Sequence, residues 1–366
     1  MSRYQIRCDG FVFADNLQKE YSFFDAVLDE KINTAGTLTF SVLAQNPRLP
    51  DVKLMLSIIS VFREGEEIWR GRIINVERDF YNRRKITCEG ALAFLSDTRQ
   101  QTFTANKATP TSQVNYLLNA YNALCTPTRQ LQIGTIEPTT PITYDHTNEY
   151  LTFFEVFAEI LSIAGGYYQI RYNNGTAYLD WLNMPTEPYG QEIVFGQNLL
   201  DITRYVDAST VITGLYATGP SNIALKNPIV NNDYAALFGL VYGFEHFDNV
   251  SSQAQLTTVA TDFLNKNVLY NTTITISAAD LNLVDNSKMP FVIGQLVRVS
   301  SPPHNLATNI LLSGLTTNLS NPAASLISLG DTRTGFTKYV TTSIKKGGIE
   351  VYRYFENAYG EGVNSI

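Results

Sequence analysis

The sequence predicts a mainly β fold with a small mixed α/β insertion, and three observations support this class. The chain of 366 residues contains 21 Tyr and 20 Phe but only 2 Trp and 4 Met, and Thr, Val, Ile and Tyr dominate many short stretches, as in paired strands. Several of these stretches alternate apolar and polar residues. Helical periodicity is limited to a few segments. We therefore expect two β-barrel-like domains, a small mixed α/β domain and a short C-terminal extension.

The first hundred residues have the pattern of strands joined by polar turns. Residues Thr37–Val42 alternate small polar and apolar side chains, which is the period of a half-buried strand. Residues 54–62 are more continuously apolar and predict a strand that is covered on both faces. After a turn at 64–67, residues 68–76 predict the partner strand, and 85–90 complete a meander.

A helical period replaces this pattern between residues 104 and 203. Thr109-Pro110 is a favourable helix start. The apolar residues that follow it at helical spacing are Val114, Leu117, Leu118, Tyr121 and Leu124. A second helix is expected to begin near Thr152, because Glu155 completes a capping box, and to end at Gly165-Gly166.

Strand patterns return after the second helix. Asn174-Gly175 is a strong signal for a tight hairpin between residues 167–172 and 176–182. A third helix is predicted over 253–265. Further strands are predicted at 209–218, 272–277, 292–299, 310–319, 325–329 and 349–355.

A faint internal repeat links the two strand-rich regions. Residues 71–90 and 314–330 each have the pattern strand, polar turn, strand, glycine. The expected domains are 1–103 for the first β barrel, which residues 204–240 could complete, 104–203 for the mixed unit, 241–335 for the second barrel and 336–366 for the extension. We expect the two β regions to share one topology.

Charge and cysteine content exclude several classes of protein. The net charge of −7 disfavours nonspecific binding of nucleic acid, and the basic run 83–85 is best explained as a solvated turn. Cys8, Cys88 and Cys125 lie far apart and are expected to be reduced and buried, as in a protein made in a cytosol. The N-terminal residues lack a secretory pattern, and no apolar run reaches the ~20 residues of a membrane span.

No arrangement of residues predicts catalysis, a cofactor or a metal site. His146, His246 and His304 are isolated in sequence, and no Cys pair has zinc spacing. A G-x-S-x-G elbow is absent, and Cys88 is best explained as a core residue because its acidic neighbour Glu89 would raise the pKa of a thiol. Carboxylate pairs from distant segments stay open as a glycosidase alternative.

Four stretches in a fixed order carry a family resemblance. Residues 68–100 contain GRI followed by TCEGALAFLSD, residues 210–219 read TVITGLYATG, and the 253–265 helix precedes ISAADLN and GQLVRV. SPPHNL and LLSGLTTNLSNPAASLISLGD then end at Asp331. These stretches resemble the prophage endopeptidase tail family, the hub proteins at the tail tips of siphophages and prophages.

The resemblance implies a structural role at the virion tail tip, for a protein synthesised in the bacterial host cytoplasm. We expect no enzymatic activity, because the sequence lacks the metal, nucleophile and elbow motifs that the peptidase activity in the family's name would need. It implies a homotrimer, related in architecture to the baseplate hub of contractile phages, that caps the tail tube, adapts sixfold to threefold symmetry and forms part of the DNA passage. The implied partners are the distal tail protein ring, the tail tube or tape-measure proteins, and a downstream tip or fibre protein. The alternatives are a cell-wall hydrolase and a receptor-binding or carbohydrate-binding tail module.

Overall fold

The computed structural model describes residues 4–146, 150–207, 211–248, 250–267, 271–283, 285, 287–330, 344–346 and 349–351. Contacts divide the chain into two compact units. The first unit comprises Met1–Thr203 and Ile274–Gly330, and the second comprises Arg204–Thr273 and Asp331–Ile366.

The N-terminal β region of the first unit contains seven strands. They are β1 (Tyr4–Cys8), β2 (Phe11–Asp15), β3 (Phe23–Lys31), β4 (Thr37–Val42), β5 (Ile58–Arg63), β6 (Glu66–Arg78) and β7 (Arg84–Gly90). In the sheet they follow the order β3-β4-β7-β6-β5-β1-β2. Alternation sets the buried face, since Leu38, Phe40 and Val42 of β4 are buried between partly exposed neighbours. These three side chains belong to a core that each of the seven strands supplies.

The middle block carries two capped helices between short strands. Its elements are β8 (Phe103–Ala108), α1 (Pro110–Leu124), β9 (Gln132–Ile136), β10 (Ile142–His146), α2 (Phe153–Ala164), β11 (Tyr167–Asn173) and β12 (Thr176–Leu182). The hydroxyl of Thr109 caps α1 by accepting from the amide of Ser112 at 3.3 Å. Thr152 and Glu155 form a complete capping box at α2, as the sequence predicts.

The second β region contains six strands that extend the same sheet. Most of their residues belong to the first unit, while residues 204–207 and 271–273 belong to the second. They are β13 (Ile193–Val194), β14 (Leu199–Asp207), β18 (Asn271–Ala278), β19 (Leu296–Ser301), β20 (Leu306–Asn318) and β21 (Leu326–Gly330). Strand β20 pairs with β3, so one thirteen-stranded sheet contains both β regions. The second region has its own core, around Ile276, Val297, Val299, Leu312 and Leu329.

The second unit contains a three-stranded sheet, a separate two-stranded sheet and two helices. Its elements are β15 (Gly214–Thr218), β16 (Ile229–Val230), α3 (Asn232–Phe238), β17 (Tyr242–His246), α4 (Gln253–Asn267), β22 (Ile344–Lys346) and β23 (Ile349–Val351). Strand β15 lies between β16 and β17. Leu256, Ala260 and Leu264 of α4 are buried with Leu215 and Ala217 of β15.

The mainly β class is confirmed, while three predicted strands begin later than expected. The strand expected at 209–218 begins at Gly214, and the one expected at 292–299 begins at Leu296. Of the strand expected at 54–62, Leu54, Met55 and Leu56 lie exposed in a loop, and β5 begins only at Ile58. Met55 has a φ of +62°, which a continuous strand excludes. Helix α3 was not predicted, and of the strand expected at 209–218 residues 209 and 210 lie outside the described part of the chain. The four predicted domain boundaries stay a prediction.

Candidate assembly interface

The two β regions have the same strand order. From β3, the first region runs β3-β4-β7-β6-β5-β1, and the second runs β14-β18-β21-β20-β19-β13. If the six strands of each region are numbered from 1 to 6 along the chain, both regions have the sheet order 2-3-6-5-4-1. One pairing differs in direction, because β1 is antiparallel to β5 whereas β13 is parallel to β19. The shared topology predicted from the faint repeat is present in these strand orders.

A bulge at the same place in both hairpins supports this correspondence. In β6 the register with β7 shifts between Ile73 and Asn75, and in β20 the register with β21 shifts between Leu312 and Gly314. The carbonyl just before each bulge accepts a bond from a preceding loop. The amide of Met55 donates to Ile73 O at 2.8 Å, and the amide of Gly294 donates to Leu312 O at 2.9 Å. Bulges that fix the same bend in both hairpins indicate equivalent structural positions.

The two regions join where β20 pairs with β3. Gly314 lies opposite Lys31, and Asn318 lies opposite Val27. The hydroxyl of Thr316 donates to Asp29 Oδ1 at 2.7 Å across this joint. The joint therefore fixes the second region against the first by a strand ladder.

The GRI and CEG motifs form a buried ion-pair network. The side chain of Arg72 in β6 is only 4% exposed and binds two carboxylates. Its Nη2 lies 2.6 Å from Glu89 Oε1 and 2.8 Å from Asp97 Oδ1. Asp97 also accepts from Arg129 of the middle block at 2.8 Å. Arg129 donates in turn to the carbonyl of Met55, so the motif residues connect β6, β7, the middle block and the loop before β5.

A cavity of about 110 Å³ lies beside the joint, and its walls include Glu30, Trp69, Tyr167 and Tyr172. Burial, and after it the neighbouring Asp29 carboxylate, raises the pKa of Glu30 to about 7. The indole N–H of Trp69 is buried without a protein acceptor. The cavity is small for a substrate, and we assign it no reaction.

The two described histidine side chains that the sequence singled out have local hydroxyl partners. His246 contacts Thr218 Oγ1 at 2.8 Å and Asp248 Oδ1 at 3.2 Å on an exposed surface. His304 lies 2.6 Å from Ser301 Oγ, and His146 ends β10. Among the described residues, no group of three or more His, Cys, Asp or Glu side chains is placed to hold a metal ion.

Two of the three cysteines lie in the core. Cys8 and Cys88 are buried, and Cys125 is half-buried. Burial raises the pKa of Cys88 well above its ordinary value, which opposes a nucleophilic role, as the sequence indicates. Within the described part of the chain, no helix is both long and apolar enough to cross a membrane.

A family model and solved structures match this architecture. Residues 187–340 match the family model described as prophage endopeptidase tail. The predicted resemblance is confirmed. This matched stretch begins before β13 and extends beyond β21, so it contains all six strands of the second β region and the second unit's helices. None of the curated proteins matches the chain.

The structural matches share the fold of nearly the whole chain at low sequence identity. The 43 kDa tail protein of prophage MuSo2 from Shewanella oneidensis is 9% identical, with a TM-score of 0.61 over 90% of this chain and 98% of that one. The tail protein from Neisseria meningitidis is 13% identical, with a TM-score of 0.62 over 92% and 98%. A chain of the Francisella PdpA-VgrG complex is 9% identical, with a TM-score of 0.50 over 100% and 63%.

Proposed function

We propose that this chain is a structural hub protein of a phage tail tip, in which three copies form a ring with two equivalent β regions each. The observation that carries the proposal is the strand order that occurs twice in one chain. The prophage endopeptidase tail match and the folds of the two tail proteins support the same setting.

Symmetry explains why a chain would contain two equivalent β regions. A ring of three identical chains presents three copies of any surface, whereas six similar surfaces are needed to meet a sixfold ring. If each chain supplies one surface from each β region, three chains provide six docking surfaces. Docking then depends on backbone geometry, because the equivalent strands share topology and bulges more than side chains.

The resemblance suggests the partners of such a ring. We propose that one face meets a sixfold distal tail protein ring or tail tube, and that a tape-measure protein and a downstream tip or fibre protein contact the hub. DNA would pass through the ring without specific binding, because three chains at −7 each repel phosphates. Micromolar affinity for double-stranded DNA at physiological salt contradicts this part of the proposal.

Light scattering of the purified chain tests the oligomer on which the proposal depends. We expect a particle of about 123 kDa, three times the chain mass of 40.9 kDa. A mass that stays at that of one chain over the accessible concentration range overturns the ring.

A further inference from the structure

The cavity of about 110 Å³ lies where three parts of the first unit meet. Its walls include Glu30 of β3, Trp69 of β6 and Tyr168 of β11, together with Ile293 just before β19. One water molecule takes up about 30 Å³, so this space admits a group of only a few non-hydrogen atoms. An occupant must therefore be a small molecule or the end of a single side chain.

The carboxyl group of Glu30 has no cation of its own in this cavity. Its side chain is partly buried. Burial, and after it the charge of Asp29, raises the pKa of Glu30 to about 7, and no cation in the described part of the chain offsets these two effects. Glu30 is therefore a negative charge that the protein itself leaves unbalanced.

The cations around the cavity already have carboxylate partners. The Nζ of Lys31 lies 3.8 Å from Asp29 Oδ2. Arg70 lies over the ring of one wall tyrosine, and it donates to both carboxylate oxygens of Glu67, at 2.7 and 2.8 Å. A positively charged occupant would therefore supply the partner that Glu30 lacks.

The remaining wall suits a small organic cation. It includes the aromatic side chains of Trp69, Tyr167, Tyr168 and Tyr172, and aromatic rings attract cations. The hydroxyl of Tyr168 is buried without a hydrogen-bond partner in the described chain, so its oxygen can accept a bond from an N–H group. Burial raises the pKa of all three tyrosines, which keeps their hydroxyls neutral at physiological pH.

The unpaired indole N–H of Trp69 suits the carboxylate rather than the occupant. A methyl group placed on Gly36 would lie 3.5 Å from Glu30 Cγ and 3.5 Å from Trp69 Nε1, so the two side chains lie beside the same glycine. Indole N–H is a donor only, and it stabilises the ionised form of a neighbouring carboxyl group. A bound cation favours the same ionised form.

We propose that this cavity binds a primary ammonium group, the CH₂–NH₃⁺ end of an alkylamine, with Glu30 as its counter-ion. An ammonium group donates three hydrogen bonds, and the Glu30 carboxylate and Tyr168 Oη are acceptors for two of them. The aromatic side chains surround the carbon end. A free small amine and the lysine side chain of a partner protein both present this group. The site does not depend on the proposed ring.

Binding at this site depends on pH, because only ionised Glu30 balances the cation. With the pKa of Glu30 at about 7 in the free chain, a proton competes with the ligand below pH 7, and the affinity falls about tenfold per pH unit there. Burial, and to a smaller extent the charge of Glu30, raises the pKa of Tyr4 and Tyr172 above the ordinary value of 10.0. These two neighbours therefore stay neutral while Glu30 titrates.

Isothermal titration calorimetry of the full chain with methylammonium chloride tests the proposal, with potassium chloride keeping the ionic strength constant. We expect one site per chain at pH 8 and about tenfold weaker binding at pH 6. Glu30→Gln preserves the side-chain shape and is expected to remove binding at both pH values. Glu66→Gln, at an exposed position, is the control and should bind as the unmodified chain does. Binding that survives Glu30→Gln, or that is equal at both pH values, overturns the site.

Proton release from the unmodified chain covers the case in which Glu30→Gln does not fold. At pH 7 about half of the Glu30 carboxyls carry a proton, so binding is expected to release about half a proton per chain. The release is measured as a change in binding heat between buffers of different ionisation enthalpy. Binding heat that is the same in all buffers, after correction for dilution, contradicts the role of Glu30.

A second probe distinguishes the two sources of the ammonium group. If the natural occupant is the lysine side chain of a partner, Nα-acetyl-lysine amide should bind more tightly than methylammonium. If it is a free amine, methylammonium should bind more tightly. Failure of both probes to bind at pH 8 overturns the ammonium site and leaves the proposed ring standing, since the cavity lies within one chain.

Discussion

Gly71 and Gly90 lie directly opposite each other in β6 and β7, and neither position has room for a side chain. A methyl group on Gly90 would lie 1.8 Å from the carbonyl oxygen of Ala35, and one on Gly71 would lie 2.1 Å from that of Glu89. Both obstacles are backbone atoms, which cannot rotate away. Gly90 of the CEG motif therefore permits close approach of the hairpin to the turn at Ala35, and Gly71 of the GRI motif permits close approach of β6 to β7.

Gly90→Ala is expected to lower the free energy of unfolding by about 2–4 kcal/mol, because the hairpin must move to admit the methyl group. Urea denaturation measures this. Gly10→Ala is a suitable control, since no atom lies within 4 Å of the added group but φ is +86°. The control isolates backbone strain and should cost about 1 kcal/mol. Equal losses for both variants would contradict the close approach at Gly90.

Arg72→Met is expected to destabilise the chain because it leaves Glu89 and Asp97 without their shared cation. Both carboxylates are partly exposed, at 27% and 29%, so we expect a loss of about 2–3 kcal/mol, below the range for fully buried pairs. Arg83→Met breaks an exposed pair with Asp79 and should change stability little. If urea denaturation gave similar losses of unfolding free energy for the two variants, the Arg72 network would stabilise the chain no more than an exposed ion pair does.

Glu30→Gln is expected to stabilise the chain above neutral pH. The pKa of Glu30 is about 7 in the folded chain, against an ordinary value of 4.5. Between these values the folded chain retains a proton that the unfolded chain has lost, so stability falls as pH rises through this window. The variant removes that loss and should gain about 1–3 kcal/mol at pH 8, with a much smaller gain at pH 5.

Denaturation at the two pH values measures this difference. Glu66→Gln is the control, because Glu66 is an exposed residue at the start of β6. A gain at pH 8 that is no larger than in this control, or a gain that is equal at both pH values, would exclude an effect of Glu30 burial.

The purified chain is expected to release no soluble muropeptides or peptides from bacterial cell walls above a heat-inactivated control. The physical reason is that burial raises the pKa of the Cys88 thiol, while His246 and His304 each contact a nearby hydroxyl. Mass spectrometry of the soluble fraction provides the readout. Time-dependent release by the active but not the heated sample would support the hydrolase alternative.

Local features of the fold are predictable from sequence because short-range chemistry fixes them. Thr152 and Glu155 specify a helix start, and Asn174-Gly175 specifies the turn between β11 and β12. The strand predicted over residues 54–56 is wrong, because an exposed apolar loop and a buried strand can have the same composition. The positive φ of Met55 identifies a loop at this position, but the amino-acid sequence does not show that φ is positive.

The assembly surface is harder to predict because it depends on distant pairings. Leu315 and Glu30 are far apart in sequence but adjacent in the sheet, and no local pattern encodes that register. The faint repeat of residues 71–90 and 314–330 indicates the two equivalent hairpins. It does not reveal the common order of six strands, which requires the complete sheet.

Electron cryomicroscopy of the assembled particle tests the central claim most directly. A map refined without imposed symmetry is expected to match itself fully after rotation by about 120° and to match its strand density, but not its side chains, after about 60°. Strands β3 and β14 should then occupy alternating equivalent positions around the ring. A ring whose two β regions lie at different radii or heights, with no match at about 60°, would contradict the account.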